Sequence, residues 1–132
     1  MPVLWAIRCY ISTRGVDEIR FWYDRQTPRT RAKFLSRLKF LAQTPRAGWK
    51  REPFDLLKGP YAELGEIRFN SDRIEHRVLG FFRPGSVFTL VICAQEKNNR
   101  FVPKHAPETA LNRKKEIEAD ESRSRACDFA LD

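Results

Sequence analysis

Arg68 and Arg77 sit in two neighbouring β-forming runs, and Lys97 follows a third. Cations carried on rigid strands can hold a phosphodiester and stabilise the charge that develops on its oxygens. One such donor commonly contributes roughly 3–4 kcal/mol in a transition state. Arginine does not deprotonate in proteins, so it cannot be the base. Cleavage of RNA by its own 2′-hydroxyl needs one proton removed there and one given to the leaving 5′-oxygen. His105, His76, Lys97, Glu66 and Tyr61 are the residues able to move those protons. Tyr61, Arg83, Arg100, Lys104 and His105 supply further contacts to an RNA chain.

The same spacing has a plainer reading. A turn centred on Ser71-Asp72 sets Arg68 opposite Glu75 and Glu66 opposite Arg77. All four side chains then share one face, because strand side chains alternate with period two. A cross-strand charge ladder of this kind contributes roughly 0.2–1 kcal/mol per pair. An arginine in an apolar strand needs such a partner, or a polar hollow, to offset its desolvation. His76 alternates to the face opposite Arg77 and reads as a packed residue. Several site types are missing: a glycine-rich phosphate loop, G-x-S-x-G, H-E-x-x-H and paired carboxylates. With no C-x-x-C or Cys/His cluster either, no metal and no cofactor is expected.

The elements that carry these residues follow from pattern. Residues 62–94 hold three runs rich in β-branched and aromatic residues, joined by NSDR and RPGS. That is the pattern of a three-strand antiparallel meander, with Pro84-Gly85 suited to a type II turn. Gly65, where the apolar phase slips, marks a candidate β-bulge. Residues 3–11 read as a first strand. Residues 16–26 form a helical stripe with acid near its start. Thr27-Pro28 opens a second helix running to about Gln43, with Phe34, Leu35, Leu38, Leu41 and Ala42 inward. Residues 45–60 are a loop that folds Trp49 and Phe54 back onto the core. Residues 95–104 form a basic connection, and residues 107–119 a short helix. Residues 120–132 are expected to fray. The last two strands look apolar on both faces. Val87, Val91 and Cys93 are expected beside Val78 and Phe82, and Phe88, Leu90 and Ile92 beside Leu79 and Phe81. One of these faces therefore needs a further cover.

The chain of 132 residues suits one domain with a single core. Its 25 Lys and Arg against 17 Asp and Glu give a formal charge of +8, which favours a polyanionic partner. The basic residues of the second helix offer either a solvated exterior or a surface that tracks phosphates. Cys9, Cys93 and Cys127 are odd in number and far apart. Cys9 and Cys93 read as small buried hydrophobes, and a reducing, cytoplasmic location is the default. The N-terminus carries a charge by residue 8 and is not a signal peptide, and no run is long enough to span a bilayer.

Three segments together resemble the phage-derived branch of the RelE/HigB-like toxins. They are Gly59-Pro60-Tyr61, Leu64-Gly65-Glu66-Ile67-Arg68-Phe69 and Arg77-Val78-Leu79-Gly80-Phe81-Phe82, continued by Lys97, Pro103, Glu108, Ala110 and Arg113. The resemblance implies an α+β, RelE-like fold over residues 1–119. It has an N-terminal strand, two helices, a meander completing a four-strand sheet, and a short C-terminal helix. It implies a toxin of a type II toxin–antitoxin module, acting as a metal-independent, ribosome-dependent messenger-RNA endonuclease. Arg68, Arg77 and Lys97 would be catalytic. The implied partners are messenger RNA, the ribosome and a cognate antitoxin of helix-turn-helix type, with no membrane and no small-molecule cofactor. His76 stands where the family often has tyrosine, and Asn98 where it often has a second lysine. A non-catalytic RNA- or protein-binding module, and a ParE-like inhibitor of a topoisomerase, are the alternatives.

Overall fold

The computed structural model describes residues 2–131. The predicted elements form in the predicted order. They are β1 (Ala6–Tyr10), α1 (Glu18–Asp24), α2 (Pro28–Ala42), the meander β3 (Gly65–Ser71), β4 (Ile74–Arg83) and β5 (Val87–Lys97), and α3 (Ala106–Ala119). Asp17 caps α1, its Oδ1 accepting from the Ile19 and Arg20 amides at 3.1 and 2.9 Å. Thr27 caps α2 and Pro28 fills its first turn.

The sheet is larger than the four strands expected. Three short strands extend it to seven: β2 (Phe54–Leu56), β6 (Arg100–Val102) and β7 (Ser124–Ala126). The order is β2-β3-β4-β5-β1-β7, with β6 also pairing β5. β1 runs parallel to β5, and every other pairing is antiparallel. Each added strand is too short to carry its own periodic signal, so only its neighbour defines it.

Residues 120–131, expected to fray, form a strap instead. β7 pairs with β1, and Cys127 is joined to Cys9 by a disulfide. Phe129 packs edge-on against Phe34 at 5.5 Å. The cysteines expected to be unbonded therefore include one bonded pair, and Cys93 alone is free.

Two cores flank the sheet. α1 and α2 cover one face, with Phe34, Leu38 and Leu41 over Ile67, Phe69, Val78 and Leu90. α3 covers the other, with Ala106, Ala110 and Ile117 over Leu79, Phe81 and Val91. The apolar surplus read from the sequence is thus absorbed within the chain. The residues lining each face differ from those expected. The register shifts between Leu79 and Gly80, so that Val91 is the extra residue of a bulge in β5. The shift turns Phe88 and Leu90 to the α2 side and Val91 to the α3 side, the reverse of plain alternation. The bulge lies here and not at Gly65. Gly65 and Gly80 are cross-strand partners. A Cβ on either would run into the ring of Phe54 or Phe88, so the pair gives the aromatic cluster its floor.

Candidate nucleic-acid interface

The β3–β4 turn centres on Asp72-Arg73, one residue later than expected. Both have positive φ, 53° and 64°, as a two-residue hairpin turn of the primed type requires. Tertiary contacts place Asp72 there. The Thr27 hydroxyl donates to its Oδ2 at 3.1 Å, and Thr30 bonds Ser71 at 2.9 Å. The register is therefore Arg68 opposite Arg77 and Asn70 opposite Glu75, and the expected pairs Arg68/Glu75 and Glu66/Arg77 are not directly opposed.

Two guanidinium groups facing each other need counter-charge, and the sheet supplies it. Arg77 is 3% exposed and meets three carboxylates: Glu66 at 3.2 Å, Glu75 at 3.4 Å and Glu96 at 3.5 Å. Its Nη1 also donates to the His76 carbonyl at 2.9 Å. Arg68 lies within 3.7–4.0 Å of Asp55, Glu52 and Glu66. Burial pushes the Glu66 carboxyl above its usual range, even against the pull of Arg77 and Arg68. A hydrogen bond from Asn70, helped by Arg77, draws Glu75 below its range. Arg51 also reaches Asp55 at 3.7 Å, and three cations among five carboxylates still leave an acidic excess, the wrong sign for gripping a phosphodiester.

His76 is buried on the opposite face, stacked on Phe69 at 4.8 Å with Trp22 edge-on at 5.8 Å. Neither ring nitrogen has a hydrogen-bond partner. Burial lowers its pKa below the ordinary 6.5. The unfolded chain then takes up a proton that the folded chain refuses. Stability from this group is complete above about pH 6.5 and is lost as pH falls below that value toward the folded pKa. Glu66 works with the opposite sign. Its raised pKa favours the folded state at low pH, an advantage lost as pH rises through the folded pKa, above the ordinary 4.5. His76→Phe is expected to add about 1–2 kcal/mol at neutral pH by removing two unpaired nitrogens. It should also lose less stability than wild type between about pH 7.5 and about pH 5.5, read as urea midpoints. Glu66 is common to both proteins and cancels in that comparison.

Lys97 does not join Arg77. Arg77 pairs with Ala94 and Glu75 with Glu96, so Glu96 points to the Arg77 side and Lys97 alternates to the other face. Lys97 instead meets Arg100 across a hairpin whose turn, Asn98-Asn99, has φ of 53° and 61°. The expected basic connection is thus the end of β5 and all of β6. Lys97, Arg100, Phe101 and Lys104 line one open cleft of about 600 Å³. Among the described residues, none of its three cations has an acidic partner, in contrast to Arg68 and Arg77.

His105 follows Lys104 at the start of α3 and makes no capping hydrogen bond. Its side chain is 73% exposed, and Nδ1 lies 3.8 Å from Glu108 Oε2. The Tyr61 hydroxyl donates to Glu108 Oε1, which holds the Glu108 carboxyl below its usual range and raises the Tyr61 hydroxyl. Glu108 is therefore a linking residue that charge pattern alone did not single out; its i,i+3 spacing from His105 was the available signal. Arg83 lies elsewhere. It pairs with Val87 at the closed end of the β4–β5 hairpin, roughly 30 Å along the strand from Lys97.

No described helix is long and apolar enough to cross a membrane, and no cluster of metal-ligating residues occurs among the described residues. The family model described as "Phage derived protein Gp49-like (DUF891)" matches residues 21–115, more than half of the chain, from α1 to the middle of α3. No curated protein and no solved structure matches.

Proposed function

We propose, from the premise that this chain belongs to the Gp49-like phage-derived family, that it is a toxin acting on messenger RNA at the ribosome. The observation that carries this reading is the contrast among its cations. Arg68 and Arg77 are consumed by carboxylates, whereas Lys97, Arg100 and Lys104 stand unpaired around one cleft, with Phe101 beside them. Cations with an adjacent aromatic ring suit a single-stranded RNA backbone and an unstacked base. His105, with Glu108 Oε2 3.8 Å from its Nδ1, is the base that would take the 2′-hydroxyl proton, while water in the open cleft gives one to the leaving 5′-oxygen. In this reading Arg68 and Arg77 shape the sheet that presents the cleft. Lys97 keeps its place in the site and supplies charge to the phosphate.

Action on ribosomes places the protein in the cytoplasm, and a cognate antitoxin of helix-turn-helix type would restrain it. There the Cys9–Cys127 bond faces reduction. The β1–β7 hydrogen bonds and the Phe129 contacts would hold the strap without it.

Binding to a short single-stranded RNA over a range of salt tests the interface. The triple variant Lys97→Ala/Arg100→Ala/Lys104→Ala should bind more weakly. Its slope of log K against log salt should flatten by about 2, from three lost phosphate contacts at roughly 0.7 each. An unchanged slope removes the cleft from consideration. Growth arrest with truncated messages on induction tests the activity. A second reading, RNA binding without cleavage, is favoured by the neutralised strand arginines. It predicts intact messages and the same salt dependence.

A further inference from the structure

Arg8 has no part in the proposed RNA cleft. It projects from β1 to the α3 side of the sheet and is partly buried. Its Nε donates to Ser124 Oγ at 2.9 Å and its Nη2 to the Ser124 carbonyl at 2.8 Å. No acid lies within ion-pair distance of it among the described residues. A partly buried guanidinium with only neutral acceptors keeps uncompensated charge to offer an anion. Arg8 and Arg83 together line a pocket of about 310 Å³, closed by Val87, Ile117, Glu121 and Ser124. Glu121 is the one acid in its wall. It is 81% exposed and bonds Arg83 Nη2 at 2.9 Å, while Ser124 is buried.

The geometry points to an oxyanion site here, and we propose that the pocket binds a phosphate monoester. Two guanidinium forks from different strands suit a group with several terminal oxygens. Glu121 engages Arg83, and its exposure lets it swing away when a stronger anion enters. Val87 and Ile117 provide apolar wall for the organic part of the ligand. The site lies at the opposite end of the sheet from the Lys97 cleft and stands whether or not that cleft binds RNA.

Titration of the full-length protein with ribose 5-phosphate, with unphosphorylated ribose as control, tests the site. Saturable binding of the phosphate alone is expected, with movement of the Arg8 and Arg83 side-chain N–H resonances. Arg83→Gln should lower affinity about tenfold. Arg8→Gln should do the same, but it also removes the Ser124 bonds and so disturbs β7; Arg83→Gln leaves those bonds in place. Glu121→Gln removes the competing carboxylate and should raise affinity several-fold. Equal binding of ribose, or a Glu121→Gln variant that binds no tighter, overturns the proposal. A 5′-phosphorylated oligoribonucleotide that outcompetes its 5′-hydroxyl counterpart would assign the monoester to an RNA terminus. Equal competition, with ribose 5-phosphate still bound, would assign it to a free small molecule.

Discussion

Arg77→Leu should lower stability by about 3–5 kcal/mol, the usual cost of removing one partner from a buried charge cluster. In a chain of this size that corresponds to a Tm lower by roughly 11–18 °C. The cost arises because Glu66, Glu75 and Glu96 all converge on this guanidinium, and Glu66 is itself largely buried. Glu75 and Glu96 are more exposed, at 47% and 34%, and can turn to water. Glu66, at 14%, cannot. Pairing the change with Glu66→Leu should therefore recover most of the loss, since a buried ion pair replaced by apolar residues is often neutral or better. The double variant separates two roles that the single variant confounds. If Arg77 only organises the sheet, Glu66→Leu/Arg77→Leu melts near wild type and still arrests growth. A folded double variant that no longer cleaves messages would return Arg77 to the reacting phosphate.

His105→Ala should slow message cleavage by about 10²- to 10⁴-fold, the range lost with a general base. The residue is exposed and makes no capping bond, so stability should stay within about 0.5 kcal/mol. RNA affinity should hold within about twofold, because the three cleft cations remain. Glu108→Gln and Tyr61→Phe change the neighbours of the ring but leave the ring itself, and should give smaller losses. Primer extension on ribosomes reads the cleavage, and direct binding reads the affinity. Wild-type cleavage by His105→Ala would remove the proposed base. Loss of both binding and cleavage would make His105 a binding residue.

Both predictions turn on where cations meet acids, and that was only half legible from the sequence. The Glu66, Arg68, Glu75 and Arg77 face was legible, because strand alternation is local geometry. The pairing across it was not. A shift of one residue in the turn sets Arg68 against Arg77, and that shift is fixed by Thr27 and Thr30 gripping Asp72 and Ser71 from α2. Glu96 joined Arg77 only once β5 was aligned with β4. The β5 bulge had no signature in the run VFTLVICA, whose apolar residues suit either face.

What the chain's own order of residues determined is the sequence of elements: the meander, the capped α2 and its apolar stripe, and an α+β domain. Those rest on contacts a few residues apart, where propensity, capping and periodicity act. Only the tertiary structure decided which charges are neutralised and which stay free. It also decided that Cys9 meets Cys127, that the C-terminal strap is seated, and that Arg83 is separated from Lys97. Those depend on segments far apart in the chain, and a one-residue change in register moves a side chain to the other face of the sheet.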